Sequence, residues 1–203
     1  MCKKRESFRK NSLDFSLLPV IEGISLIFSI PDHIRDAFSD FENTYNRARC
    51  AVYFALQISK NTTQILREGY FRAALTEFVS MEETSKKELG GIKHRLITAS
   101  QNPLLHIMKQ LRNLQIHLVS NHLDSSTYTI SFHGIDYQLQ KWHIQEELTL
   151  NDFAELDQRK FYKDTDLQQV IAWFNETQKQ WGVHALIRQA VIMYAEELMQ
   201  RFK

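Results

Sequence analysis

The sequence predicts a mostly α-helical protein: a helical bundle with a β-hairpin insertion and a C-terminal helical pair. Apolar residues recur in steps of three and four along most of the chain, as they do on one face of a helix. Strand-forming residues alternate only between Tyr128 and Ile144, around a His133–Gly134 turn. With 203 residues, the chain is long enough to form a single domain around its own core.

The N-terminal part, residues 1–30, is predicted to be a basic arm followed by a packed apolar segment. This segment is too short and too interrupted by polar residues to span a bilayer. Residues 31–203 then form one helical domain. Its first two helices are expected at Pro31–Ser59 and Thr63–Lys87, and Gly90–Gly91 ends the second of them.

A central helix is predicted at Asn102–Leu123, with Asn102 as N-cap and Pro103 at the first helical position. At 100° per residue, one stripe faces the bundle core, and it consists of Leu104, Ile107, Leu111, Leu114 and Leu118. Arg112 falls among Leu105, Met108, Ile116 and Val119. Because this second apolar strip lies outside the core stripe, we expect it to contact another molecule, such as a second copy of the chain.

The rest of the chain is predicted to contain the hairpin at Tyr128–Ile144 and a short helix near Asp152–Gln158. Two helices, Thr165–Gln180 and Val183–Arg201, follow on either side of Gly182. They are expected to pack as an antiparallel pair, either on the bundle or against a second subunit.

Composition narrows the function classes. The net charge is +1, so any nucleic-acid site must be a local patch. Cys2 and Cys50 have no metal-ligand or redox spacing, which predicts free thiols and a cytoplasmic protein. No His, Cys and carboxylate cluster, P-loop or dinucleotide fingerprint is visible. The sequence therefore predicts no metal site, no cofactor and no membrane partner.

Arg112 and His117 are separated by four residues within the central helix, and Asn113 follows the arginine. A histidine can move a proton near neutral pH, and a guanidinium can hold a phosphate and stabilise its developing charge. Asn113 lies four residues before His117, so it could bind that ring or a phosphate oxygen. The alternative is a salt-bridged arginine beside an exposed asparagine and a solvent-facing histidine.

Further residues on the central helix and on the helix before it are candidates for the same site. His106 and Lys109 share the predicted polar face with His117 and could extend a phosphate-binding strip; the alternative is a solvated helix face. On the preceding helix, Glu82 and Lys86, and likewise Glu83 and Lys87, have the spacing of i,i+4 ion pairs. Ordinary surface pairs explain that spacing equally well.

The Arg112, Asn113 and His117 pattern resembles the defining motif of the HEPN superfamily: an arginine, four to six residues and a histidine. The resemblance covers the central helix closely and the preceding helical pair loosely. It implies a HEPN-like antiparallel bundle and the activity of a metal-independent endoribonuclease. It also implies a homodimer formed through Asn102–Leu123, in which arginines and histidines of both copies form a composite site. It also implies RNA as substrate, a toxin or phage-defence role, an antitoxin protein as partner, and a supporting role for Glu83 and Lys87.

The same superfamily contains members without catalytic activity. The alternative implied by the resemblance is therefore a silent RNA-binding or protein-interaction module. Some members that pair with a nucleotidyltransferase antitoxin have a tyrosine two residues after the histidine. This chain has Val119 there, so that mode of regulation is not expected.

Overall fold

The computed structural model describes residues 12–21, 30–60, 63–91, 95–117, 122–132 and 134–202. Within these residues the fold is mostly helical, with one small antiparallel sheet of two strands. The predicted basic arm and most of the apolar segment after it lie outside the described residues. None of the described helices is long and apolar enough to cross a membrane.

The predicted first helix is interrupted. It is divided into α1 (Asp32–Arg35), a 3-10 turn (Asp36–Phe38) and α2 (Glu42–Ile58). The next helix is α3 (Gln64–Glu88), and the Glu88 carboxylate at its C-terminal end caps the start of α2. Glu88 accepts hydrogen bonds from the backbone N–H of Asn43 at 2.7 Å and of Thr44 at 3.2 Å. Because this cap comes from another helix, local sequence signals do not reveal the break.

The start and end of α3 agree with the predicted boundaries. Thr63 is the N-cap, and its hydroxyl accepts a hydrogen bond from the Leu66 N–H. Gly90 and Gly91 follow the helix with φ angles of 72° and 79°, a conformation that favours glycine. Helices α2 and α3 pack closely against each other.

After the short helix α4 (Leu96–Ala99) comes α5 (Pro103–His117), the centre of the fold. Asn102 caps α5 as predicted, because its Oδ1 accepts a hydrogen bond from the Leu104 N–H at 3.0 Å. Every residue from Asn102 to Leu111 is buried. The predicted core stripe is buried at Leu104, Ile107, Leu111 and Leu114, but the opposite side of α5 is enclosed as well over this stretch.

Enclosure of α5 also corrects the predicted second contact surface. Leu105 and Met108 were expected to face another molecule, but both are buried in this chain's own core. The predicted end of the helix at Leu123 is wrong as well, because Leu123 begins a strand, while residues 118–121 lie outside the described residues.

The hairpin consists of β1 (Leu123–Phe132) and β2 (Ile135–Ile144), paired antiparallel in a register that joins Leu123 to Ile144 and Phe132 to Ile135. The predicted hairpin is confirmed, but β1 begins five residues earlier than expected. The stretch Asp124–Ser126, which precedes the predicted hairpin, belongs to this strand. Burial of the paired Leu123 and Ile144 explains why pairing continues to the base of the hairpin.

Two 3-10 turns, Leu150–Phe153 and Asp157–Phe161, replace the predicted short helix. They lead to α6 (Asp164–Trp181) and α7 (Val183–Phe202). Helix α7 packs against α2, α3, α5 and α6, so the C-terminal helices complete the bundle itself. Gly182 joins them with φ of 84°, and a Cβ there would lie 2.7 Å from the His184 ring.

Candidate functional site

The candidate motif lies where α5 leaves the core. The helix is buried through Leu111, whereas Arg112 and Asn113 are partly exposed. The surrounding bundle fixes this end of α5, because the buried part of the helix packs on α3, α6 and α7. The first two motif residues therefore sit on a rigid element at the edge of the protein, where a ligand can reach them.

Arg112 lacks a carboxylate partner among the described residues. Its Nη1 donates a hydrogen bond to Asn113 Oδ1 at 3.2 Å. Its Nε is buried and has no hydrogen-bond partner in the part of the chain that the structure describes. A partly buried guanidinium is normally neutralised by an anion, because removing an unpaired charge from water is costly. The arrangement leaves Arg112 able to accept an anionic ligand.

His117 is the last residue of α5, and its side chain lies outside the described residues. Its backbone position still constrains the motif. In an ideal helix, a residue four positions after Asn113 lies one turn further along the same face, about 6 Å away. The structure thus brings Arg112 and Asn113 into contact and places the backbone of His117 on the same helix, one turn beyond Asn113.

His106 does not belong to an exposed strip, and that prediction is corrected. It is 1 % exposed. Its Nε2 donates to the carbonyl oxygen of Ser100 at 2.9 Å, and its Nδ1 accepts from the Tyr162 hydroxyl at 2.7 Å. Burial lowers the pKa of His106 to about 4, and both contacts suit a neutral imidazole. These contacts use both ring nitrogens within the protein.

Lys109 is also enclosed, which corrects the second residue of the predicted phosphate-binding strip. It is 5 % exposed. Its ammonium group donates to the Glu82 carboxylate at 2.6 Å and to the Thr98 hydroxyl at 2.7 Å. Glu82 in turn accepts a hydrogen bond from the Thr98 N–H at 2.9 Å. This buried ion pair joins α3 to α5 and leaves Lys109 inaccessible to a substrate.

The predicted pairs on α3 are replaced by other partners. Glu82 pairs with Lys109 instead of Lys86. Glu83 contacts Arg95 at 3.0 Å and Lys86 at 4.0 Å, and no ion pair joins it to Lys87 in the described part of the chain. No described contact joins Glu83 or Lys87 to Arg112 or Asn113. The supporting role expected for Glu83 and Lys87 therefore has no structural support. Glu82 is the acidic residue of α3 that does reach α5.

Sequence reasoning missed the residues that hold α5 in place: Glu82, Thr98, Ser100 and Tyr162. Tyr162 follows α5 by more than forty positions and shares no motif with it. One local feature pointed towards such residues: His106, Lys109 and Gln110 lie on a helix with high apolar content. Polar side chains that are buried in such a helix require hydrogen-bond partners from other elements. No group of three or more His, Cys, Asp or Glu residues in the described ranges could hold a metal ion.

Comparisons of the chain with protein-family models, curated proteins and solved structures find no match. The resemblance to the HEPN superfamily therefore depends on Arg112, Asn113 and His117 and on the helix that carries them.

The buried ion pair gives a stability prediction. Replacing Lys109 with alanine should lower the free energy of unfolding by about 3–5 kcal/mol, because Glu82 would remain buried without its cation. Lys179→Ala is the matched control, since Lys179 pairs with Glu147 on the surface and its loss should cost less than about 1 kcal/mol. Urea unfolding measures both values. Equal, small losses would contradict the buried pair.

His106 gives a pH prediction. Its pKa is about 4 in the folded chain and near 6.5 when unfolded, so the unfolded state binds the proton more tightly. The folded state should lose stability as the pH falls from 6.5 towards 4, by about 2–3 kcal/mol from this group. His184, with its pKa also lowered to about 4, adds to the slope. In urea titrations at several pH values, His106→Gln should flatten the curve, and an unchanged slope would contradict the assignment.

Proposed function

We propose that this protein is a metal-independent endoribonuclease whose site is formed by Arg112, Asn113 and His117. The observation that carries the proposal is the guanidinium of Arg112, which no carboxylate of the described residues neutralises and which is partly exposed on α5. It would bind a phosphate of the RNA backbone, with Asn113 orienting it through their hydrogen bond. The resemblance of the three residues to the HEPN motif supports the same reading.

The proposed reaction is attack of a ribose 2′-oxygen on the adjacent phosphorus. His117 takes the proton from the 2′-OH as the new P–O bond forms. The bond from phosphorus to the 5′-oxygen breaks, and that oxygen receives a proton from a protonated imidazole. Arg112 stabilises the negative charge that grows on the phosphate oxygens. The products are a 2′,3′-cyclic phosphate and a free 5′-OH end.

A homodimer would supply both proton-transfer groups, one His117 from each copy. The structure limits how α5 could contribute, because Asn102 to Leu111 are enclosed by the same chain. Among the described side chains of α5, those of Arg112, Asn113 and Gln115 are partly exposed and available to another molecule. The resemblance further suggests a toxin or defence role and an antitoxin partner.

The test is cleavage of a single-stranded or loop RNA by the purified protein in the presence of EDTA. His117→Ala should lower the rate by roughly a hundredfold or more, the scale for losing an acid–base group. Arg112→Lys should also lose activity, because an ammonium group cannot reproduce the guanidinium fork. A DNA strand of the same sequence should remain intact, since it lacks the 2′-OH.

Two matched variants control this experiment. His122→Ala removes an exposed histidine that pairs with Glu68, and Arg72→Lys alters an exposed arginine on α3; both should leave cleavage unchanged. Cleavage that requires Mg²⁺, or that persists in His117→Ala and Arg112→Lys, would rule out the mechanism. If none of the RNAs is cut but binding depends on Arg112, the silent binding module becomes the better account.

A further inference from the structure

Gln115 lies three residues beyond Arg112 on α5, and its side chain has a hydrogen-bond donor without an acceptor. Residues three positions apart are neighbours on a helix, with their Cβ atoms about 5–6 Å apart. Gln115 is partly exposed as a residue, yet its Nε2 is buried and has no hydrogen-bond partner among the described residues. Arg112 Nε is likewise buried and without a partner there. Two neighbouring side chains of one helix therefore hold N–H groups that nothing in the described part of the chain accepts.

Asn113 and Gln115 lie on opposite sides of Arg112. At about 100° per residue, Asn113 is rotated about 100° to one side of Arg112 and Gln115 about 60° to the other. Asn113 accepts its hydrogen bond from Nη1 of the guanidinium, at 3.2 Å. The fork that can bind two oxygens of one phosphate includes Nε and Nη2, and no hydrogen bond between described residues uses either nitrogen. The Gln115 amide is a further donor beside this fork.

These N–H groups together suit a phosphate. An unpaired buried donor costs free energy, and a ligand oxygen that accepts its hydrogen bond recovers that cost on binding. Residues 102–123 contain no aspartate or glutamate, so the helix itself places no negative side chain beside the site. Arg112 and Gln115 are long and partly exposed, so rotation about their side-chain bonds can bring both donors to a ligand at the surface.

We infer that Gln115 is a phosphate-binding residue, whose amide donates a hydrogen bond to the RNA phosphate that Arg112 holds. The inference rests on the phosphate contact in the proposed function, but it does not depend on cleavage. A glutamine with a purely structural role would behave differently. Its amide would be bonded within the fold, and its replacement by an apolar side chain would destabilise the protein without changing the affinity for RNA.

The variant Gln115→Met tests this inference, because methionine has a similar length but no N–H donor. Two effects of opposite sign are expected. The melting temperature should stay the same or rise, since an unpaired buried donor is removed. The affinity for RNA should fall roughly tenfold or more, since a hydrogen bond to a charged phosphate is lost. Fluorescence anisotropy with a labelled 2′-O-methyl RNA oligonucleotide measures this affinity in the absence of cleavage.

Gln169→Met is the matched control. Gln169 is exposed on α6, so the same exchange there should change neither the affinity nor the melting temperature. A second variant, Gln115→Glu, should bind RNA more weakly than Gln115→Met does. Its carboxylate would repel the phosphate and could form an ion pair with Arg112 three residues away. Thermal melts of all three variants show whether each one is folded.

Oligonucleotides of a single base distinguish a phosphate contact from a base contact. Every nucleotide carries the same phosphate, so Gln115→Met should weaken binding by the same factor for an adenine-only and a uracil-only 2′-O-methyl RNA. A loss confined to one base would assign Gln115 to base recognition and overturn the inference. Unchanged affinity of Gln115→Met for both oligonucleotides would overturn it too.

The outcome for the wild type separates this inference from the proposed reaction. A wild type that binds neither oligonucleotide would overturn the inference together with the phosphate contact of Arg112. A wild type that binds the 2′-O-methyl RNA but never cuts unmodified RNA would refute only the proposed reaction. The affinities of Gln115→Met and Gln169→Met would then still decide the role of Gln115.

Discussion

The fold depends on burying α5 together with its polar residues. A helix enclosed from Asn102 to Leu111 takes His106, Lys109 and Gln110 out of water, and each needs a partner inside the protein. Glu82 supplies the counter-charge for Lys109, while Tyr162 bonds to both His106 and Gln110. These bonds connect α5 to α3 and to the segment that precedes α6, so the helix cannot rotate or slide without breaking several of them.

The need of buried polar groups for partners also explains the position of Arg112 at the surface of the molecule. Where the enclosing partners end, the next polar residue of α5 is Arg112, and no described carboxylate neutralises it. Lys109 and Arg112 lie less than one turn apart on the same helix, and within the described residues only Lys109 has an anionic partner. An external anion therefore suits Arg112, and the proposed phosphate contact follows from this difference. The first residue of the hairpin, Leu123, follows His117 by six positions in the sequence.

Local signals predicted much of the fold. Thr63, Asn102 and the Gly90–Gly91 pair mark boundaries that the structure confirms, because caps and positive φ angles depend on a few adjacent residues. The features that the sequence did not predict depend on contacts between residues far apart in the chain. Glu88 caps α2 from forty-four and forty-five residues away, and the pairing of Leu123 with Ile144 extends the hairpin beyond its predicted start at Tyr128.

Only part of the candidate site could be predicted, again because contacts with other elements decide which side chains are buried. Helical periodicity gives the direction in which a side chain points from α5, but it does not show whether another element of the protein or solvent lies in that direction. His106 and Lys109 were placed correctly opposite Leu104 and Leu111, yet other elements cover that side. Arg112 and Asn113 meet as neighbours and remain partly exposed, although the next residue, Leu114, is buried.

The central claim is that Arg112 is a phosphate-binding guanidinium, and its own Nε–Hε group reports on it most directly. Nitrogen-15 NMR of the full-length protein would follow that resonance, identified by its absence in Arg112→Lys. The titrant would be a 2′-O-methyl RNA oligonucleotide, which keeps the phosphates but lacks the nucleophile. The account predicts a saturable shift of the Arg112 resonance while that of exposed Arg72 on α3 stays in place. An Arg112 resonance that does not move at saturating RNA would contradict it.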